Sequence, residues 1–141
     1  NFSQYRDSNP KITLQVDTPN NLPIISADRK GLERVLNILL SNAFKFMNSG
    51  IVEVLVQDTG TYITTAISDE GIGIDEKDFD RIFELFEQAD NSDVRLYPGA
   101  GVGLSLAKQS IEKHGGSIAV DSEKGVGSTF MFSIPCSRSH R

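Results

Sequence analysis

The chain has 141 residues, 38% hydrophobic and 23% charged, with a formal net charge of -5. That length holds one domain with one core, and the acidic balance excludes a general nucleic-acid binder, which would carry a basic face. No apolar run approaches the roughly 20 residues that span a bilayer, and the single cysteine, Cys136, excludes an internal disulfide and suits a reducing, cytoplasmic location without membrane contact.

In chain order, residues 1–10 read as a linker end. Ile12, Leu14 and Val16 alternate with polar residues, as in a half-buried strand. Residues 17–23 hold two prolines and two asparagines and form a loop, followed by a short strand at 24–27. Asp28 is placed to cap a long helix whose buried stripe is Leu32, Val35, Leu36, Leu39, Leu40, Ala43 and Met47. Residues 51–56 and 62–67 alternate around a turn at 58–60, giving a hairpin. The stretch 75–88 is helical in parts, with Phe79, Ile82, Phe83 and Phe86 on its apolar side. Residues 89–100, with Pro98 and Gly99, read as a mobile loop. A second long helix covers 102–114 and ends at Gly115 and Gly116. Strands at 117–121 and 129–134 join through a turn at 123–127, and 137–141 is a basic tail. The chain opens on Asn without a secretory signal, as a piece of a longer protein would. The expected domain is 11–136. Its fold class is α+β: a two-layer sandwich of a mixed, mostly antiparallel sheet covered on one face by about three helices.

Four segments carry chemistry. In NAFKF, Asn42 and Lys45 lie three apart on one side of the first helix. Asn42 offers an oxygen ligand suited to Mg²⁺, Lys45 a compact charge for phosphate, and Phe46 a ring able to stack on a purine. In DEGIGI, Asp69 follows a strand and can accept a hydrogen bond from an exocyclic amine, while Gly71 and Gly73 let backbone approach a ligand. In FELFEQAD, Phe83, Phe86 and Gln88 flank the mobile loop, in which Arg95 lies. In GAGVGLSLAK, Gly99, Gly101 and Gly103 open a helix whose free N–H groups and dipole favour phosphate. Leu104 stands where a dinucleotide fingerprint needs its third glycine, and no GxxxxGK[ST] loop occurs. Neither histidine reads as catalytic: His114 sits at a helix end, where its ring suits the dipole or a capping role, and His140 lies in the tail.

Together these segments resemble the ATP-binding catalytic domain of sensor histidine kinases, the partners in two-component signalling. LLSNAFKF resembles the family's asparagine box, DEGIGI and GAGVGLSLAK its two glycine boxes, FELFEQ its phenylalanine box, and KGVGSTFMFSIP its closing strands. The resemblance runs from about Lys11 to Pro135 and implies the left-handed ATP-binding sandwich shared with gyrase, MutL and a heat-shock chaperone. It implies ATP and Mg²⁺ as cofactors. Mg²⁺ would lie on Asn42, phosphate on Lys45, and adenine on Phe46 and Asp69. Gly71, Gly73 and Ile74 would line the site, Thr129 would join Asp69 at its base, and the amides around Gly101, Val102, Gly103 and Leu104 would help close the loop 89–100 as a lid.

Ile38 departs from the family pattern, which has asparagine four residues before Asn42. Isoleucine neither ligates Mg²⁺ nor serves as a base. It sets the chain apart from the ATP-hydrolysing cousins, which place a water-activating glutamate there. The phosphate-accepting histidine of the family, in a dimerising helical hairpin, is absent from this sequence. The implied function is phosphoryl donation to that histidine on a separate domain of the same full-length protein, then onward to a response regulator, with no autophosphorylation by this piece alone. A degenerate nucleotide-binding regulatory module and an anti-sigma-type serine kinase are the alternatives on the same fold.

Overall fold

Strands that bury one face place apolar residues at every second position, and the computed structural model sorts them accordingly. It describes residues 11–19, 28–45, 47, 49–79, 81–83 and 100–136. The strands are β1 (Ile12–Asp17), β2 (Gly50–Asp58), β3 (Tyr62–Asp69), β4 (Ser117–Glu123) and β5 (Gly127–Pro135). They form one sheet in the order β1-β2-β3-β5-β4. β1 runs parallel to β2, and every other pairing is antiparallel. Ile12 and Leu14, Val52 and Val54, Ile63 and Ile67, and Phe130, Phe132 and Ile134 are buried on one face. The other face carries Thr13, Gln15, Glu53, Met131 and Asp121, all exposed.

Helices α1 (Arg29–Lys45) and α2 (Ala100–Lys113) supply the second layer. Val35, Leu39, Leu40 and Ala43 of α1 join Leu104, Ala107 and Ile111 of α2 in the core with the inward strand residues. Burying each leucine or isoleucine contributes about 1.5–3 kcal/mol, so the sheet and the helices depend on each other for stability. The expected α+β sandwich is thus the observed architecture. Every expected strand within the described residues is present, each one to three residues longer than its apolar pattern because the ladder continues into polar ends. The expected strand at 24–27 lies outside the described residues. The described part of the stretch 75–88 is two 3₁₀ turns, Glu76–Asp78 and Arg81–Phe83. Asp75 caps the first, its carboxylate accepting from the Lys77 N–H. Phe83 is a core residue, edge-on to Phe130 with ring centroids 6.2 Å apart.

The helix ends are satisfied by local chemistry and by each other. The Asp28 carboxylate accepts from the Lys30 N–H at 3.1 Å, the expected cap. Helix α2 stops where Gly115 turns to a φ of 80° and the Gly116 N–H reaches back to the Ile111 carbonyl. His114 does more than face the dipole. Its Nδ1 lies 2.7 Å from the Ser110 carbonyl and its Nε2 accepts the Asp28 N–H at 2.9 Å. Such an arrangement uses a neutral ring, protonated on Nδ1, to tie the start of α1 to the end of α2.

The loop after β3 is pressed against the β4–β5 turn. Gly73 has a φ of 74°, and a β-carbon there would overlap the Glu123 carbonyl. The Ile72 carbonyl also accepts the Gly125 N–H at 2.7 Å. Gly73→Ala is therefore expected to lose about 1–3 kcal/mol from the backbone conformation alone, with more from the overlap. Urea unfolding measures this; an unchanged midpoint would show that loop and turn separate freely.

Candidate functional site

The C-terminal half of α1, the end of β3 and the start of α2 converge at one end of the sandwich. Asn42 lies on the inner side of α1 and is only 7% exposed, yet among the described residues its Nδ2 has no hydrogen-bond partner. A buried amide end without a partner is costly. Half a turn about the last side-chain torsion exchanges its oxygen and nitrogen, so either can meet a ligand. Lys45 is exposed in the last turn. Ile38, one turn before Asn42, packs against the first turn of α2, where a β-carbon on Gly103 would sit 3.2 Å from Ile38 Cγ2. Glycine at 103 thus lets α2 approach the Asn42 side of α1 closely. The first N–H groups of α2, from Ala100 onward through Gly101, Val102 and Gly103, have no partner within the helix. They form an anion-favouring end.

Asp69 closes β3, and the alternation of that strand turns its side chain toward the helix layer, in line with Ile63, Thr65 and Ile67. Burial pushes its carboxyl above the usual carboxylate range. The N–H groups of Gly71, 2.9 Å away, and Ser128 pull it part of the way back. Glu70, the next residue, is fastened in the other direction. Its carboxylate accepts the Ile51 N–H at 2.7 Å, and its own N–H reaches Met47 Sδ at 3.2 Å. This ties the loop after β3 to the segment leaving α1. A separate cleft of about 290 Å³, lined by Gln15, Ile51, Glu53, Ser68, Asp69 and Glu70, opens on the face of the sheet turned away from the helices.

Some residues expected at the site have other roles. Thr129 does not join Asp69. It pairs with Ser68 in register, and their hydroxyls meet at 2.8 Å on the open face of the sheet. The residue opposite Asp69 is Ser128, which is 3% exposed on the helix-facing side. Counting back by twos from Ile134, Phe132 and Phe130 reaches Ser128, so the alternation already carried that signal. Ile74 and Leu104 bury their side chains in the core, and the Ile74 N–H is taken by the Ser122 Oγ. Gly71 and Gly73 lie in the loop after β3, as expected. Phe46, Phe86, Gln88, Arg95 and Gly99 lie outside the described residues.

A family profile described as histidine kinase-, DNA gyrase B-, and HSP90-like ATPase matches residues 27–138. The circadian input-output histidine kinase CikA of Synechococcus elongatus is 41% identical over 126 residues, which cover 89% of this chain and 17% of that protein. The signal transduction histidine-protein kinase BarA of Escherichia coli is 36% identical over 135 residues, covering 91% and 14%. Among solved structures, the catalytic domain of histidine kinase ThkA superimposes with a TM-score of 0.79 at 26% identity, covering 96% of this chain and 86% of that one. Full-length ShkA in complex with AMPPNP does so with a TM-score of 0.75 at 31% identity, covering 89% and 26%. The chain spans 6% to 17% of the length of such multidomain curated relatives.

The Asp69 carboxyl gives a pH test. Its folded-state value lies above the unfolded one, so the folded chain holds that proton more tightly. The penalty for burying the charged form is absent at low pH, grows through the window between the two values and is complete above the folded one. Relative to Asp69→Asn, the unaltered chain should lose stability as pH rises through that window, whatever constant offset the substitution adds. Urea unfolding of both chains across an acid-to-neutral series measures this; a flat difference would show an ordinary carboxyl.

Proposed function

The chain belongs to the family of histidine kinase-, DNA gyrase B- and HSP90-like ATPases, and we propose that it is the ATP-binding catalytic domain of a sensor histidine kinase. In this reading it donates the γ-phosphate of ATP to a histidine on a separate dimerisation domain of the same full-length protein, which passes it to a response regulator. The observation that carries the reading is the Asp69 carboxylate, held inward by two N–H groups at the mouth of the glycine loop. Such an acceptor, kept in a partly dry site, selects a ligand that brings its own donor, as the adenine amino group does. The histidine-kinase names of the relatives support histidine as the acceptor over serine.

The remaining groups suit the rest of the nucleotide. Phe46 stacks on the base, and Gly71 and Gly73 admit it to the backbone. Lys45 and the amides at the start of α2 face the phosphates, with residues 89–100 as lid. Among the described residues, no three His, Cys, Asp or Glu side chains form a metal cage. A divalent cation suits this site through the Asn42 amide, with phosphate oxygens and water completing its shell. Bound Mg²⁺ would supply charge neutralisation during phosphoryl transfer. The protein's own contribution is placement. Asp69 orients the base, Lys45 and the helix amides hold the phosphate chain in line with an incoming imidazole, and buried apolar side chains limit access of water. Ile38 offers no base to activate water, which favours transfer to a protein acceptor over hydrolysis. Among the described residues, no helix is long and apolar enough to cross a membrane, which suits a catalytic piece that acts in the cytoplasm.

Calorimetric titration with ATP, with and without Mg²⁺, tests the reading. Saturable, Mg²⁺-sensitive binding is expected; Asp69→Asn should weaken it at least about tenfold, and Asn42→Ala should remove chiefly the Mg²⁺-dependent part. The chain alone should not become labelled by γ-labelled ATP, whereas a histidine-bearing helical hairpin added in trans should. Labelled serine instead would favour a serine kinase, and no binding at millimolar ATP would leave a regulatory module without nucleotide.

A further inference from the structure

The two sides of the β4–β5 turn and a loop 48 positions away meet on one hydroxyl beside Asp69. Ser122 lies near the end of β4, on the side that Ile118 and Val120 turn toward the helices. An apolar residue would continue that pattern. Instead, the Ser122 Oγ accepts the Ile74 N–H at 2.7 Å, donates to the Gly127 carbonyl at 2.8 Å and lies 2.7 Å from the Ser128 Oγ. Its single proton being committed to Gly127, Ser128 is the donor to it. Ile74 and Ser128 are 4% and 3% exposed, so water has little access to replace these bonds.

The two N–H donors to Asp69 sit on different segments. Gly71 belongs to the loop that ends at Ile74, and Ser128 belongs to the start of β5. Ser122 holds the far end of the first and both the carbonyl and the hydroxyl at the start of the second. We propose that Ser122 is a positioning residue for the base-recognising carboxylate: it fixes the spacing between the two donors and so the aim of Asp69 at the adenine amino group. The proposal rests on the reading of this site as an adenine-nucleotide site. Ser122 touches no nucleotide itself and acts through Ser128, Ile74 and Asp69.

The test uses the whole chain and ADP as the probe, titrated at a series of pH values from about 5 to 8. Ser122→Ala is expected to weaken ADP about tenfold near neutrality. It should also move the acid-side loss of binding to higher pH, because the Asp69 carboxylate is then less well served by the Ser128 N–H. Ser122→Thr, which keeps the hydroxyl, should restore both. Glu70, next to Asp69 in the chain, and Glu53, on the open face of the sheet, are unchanged in every variant, and Asp69→Asn should abolish the acid limb. If Ser122→Ala does not fold, Ser128→Ala, which removes only the contact between the two hydroxyls, should move the acid limb in the same direction by less. An unchanged affinity and acid limb in a folded Ser122→Ala chain would overturn the proposal, as would equal losses in the Ala and Thr variants. Failure of the unaltered chain to bind ADP would instead sink the nucleotide reading itself, and the two failures are told apart because only the second appears before any substitution.

Discussion

Two backbone approaches organise this end of the molecule. Gly73 lies directly against the Glu123 carbonyl, and Gly127 lies as closely against the Asp69 carbonyl, so that a β-carbon at either would overlap the facing oxygen. Both glycines also hold positive φ values, 74° and 151°. The loop after β3 and the turn between β4 and β5 are thereby locked as one body. Everything that gives Asp69 its character follows from that lock. The Gly71 and Ser128 N–H groups reach its carboxylate, the Ser122 hydroxyl reaches Ile74, and the burial that raises the carboxyl has no room to relax.

The helix layer is held to the same end by a second set of constraints. Ile38 touches the glycine of the first turn of α2, so the start of α2 sits near the Asn42 side of α1. At the opposite end of the helix pair, His114 joins the two helices through Asp28 and Ser110. Each helix is therefore tied to the other at both ends, once by apolar contact and once by a polar bridge. The site lies where the contact is apolar and glycine-lined, at the helix end whose first N–H groups have no partner within α2.

The site also holds polar groups that the fold alone would not keep. A partnerless amide end at Asn42 and a carboxyl raised by burial at Asp69 both lower stability. Strain and unsatisfied polarity of this kind concentrate where a ligand completes the hydrogen bonding. Ligand binding would recover what folding leaves incomplete, and stability and recognition at these two residues are opposite sides of one physical arrangement.

Much of this was legible in the chain itself. The alternation of Phe130, Phe132 and Ile134 and the stripe from Leu32 to Ala43 determined strands, helices and the buried face, because the periods of two and 3.6 follow from backbone geometry alone. The motifs around Asn42, Asp69 and Gly103 pointed to the candidate site through their joint occurrence, each alone having ordinary structural uses. Thr129 was misassigned because a hydroxyl residue two places past a glycine looks the same whichever face it occupies. The alternation through Ile134, Phe132 and Phe130 and the register, Asp69 opposite Ser128, both separate them. The distant partners of Ser122 and His114, the Ile74 and Asp28 N–H groups, were decided by tertiary structure: these bonds join residues 48 and 86 positions apart. Local pattern carries no record of such distances, since it encodes which face a side chain takes and not which distant backbone group will be waiting there.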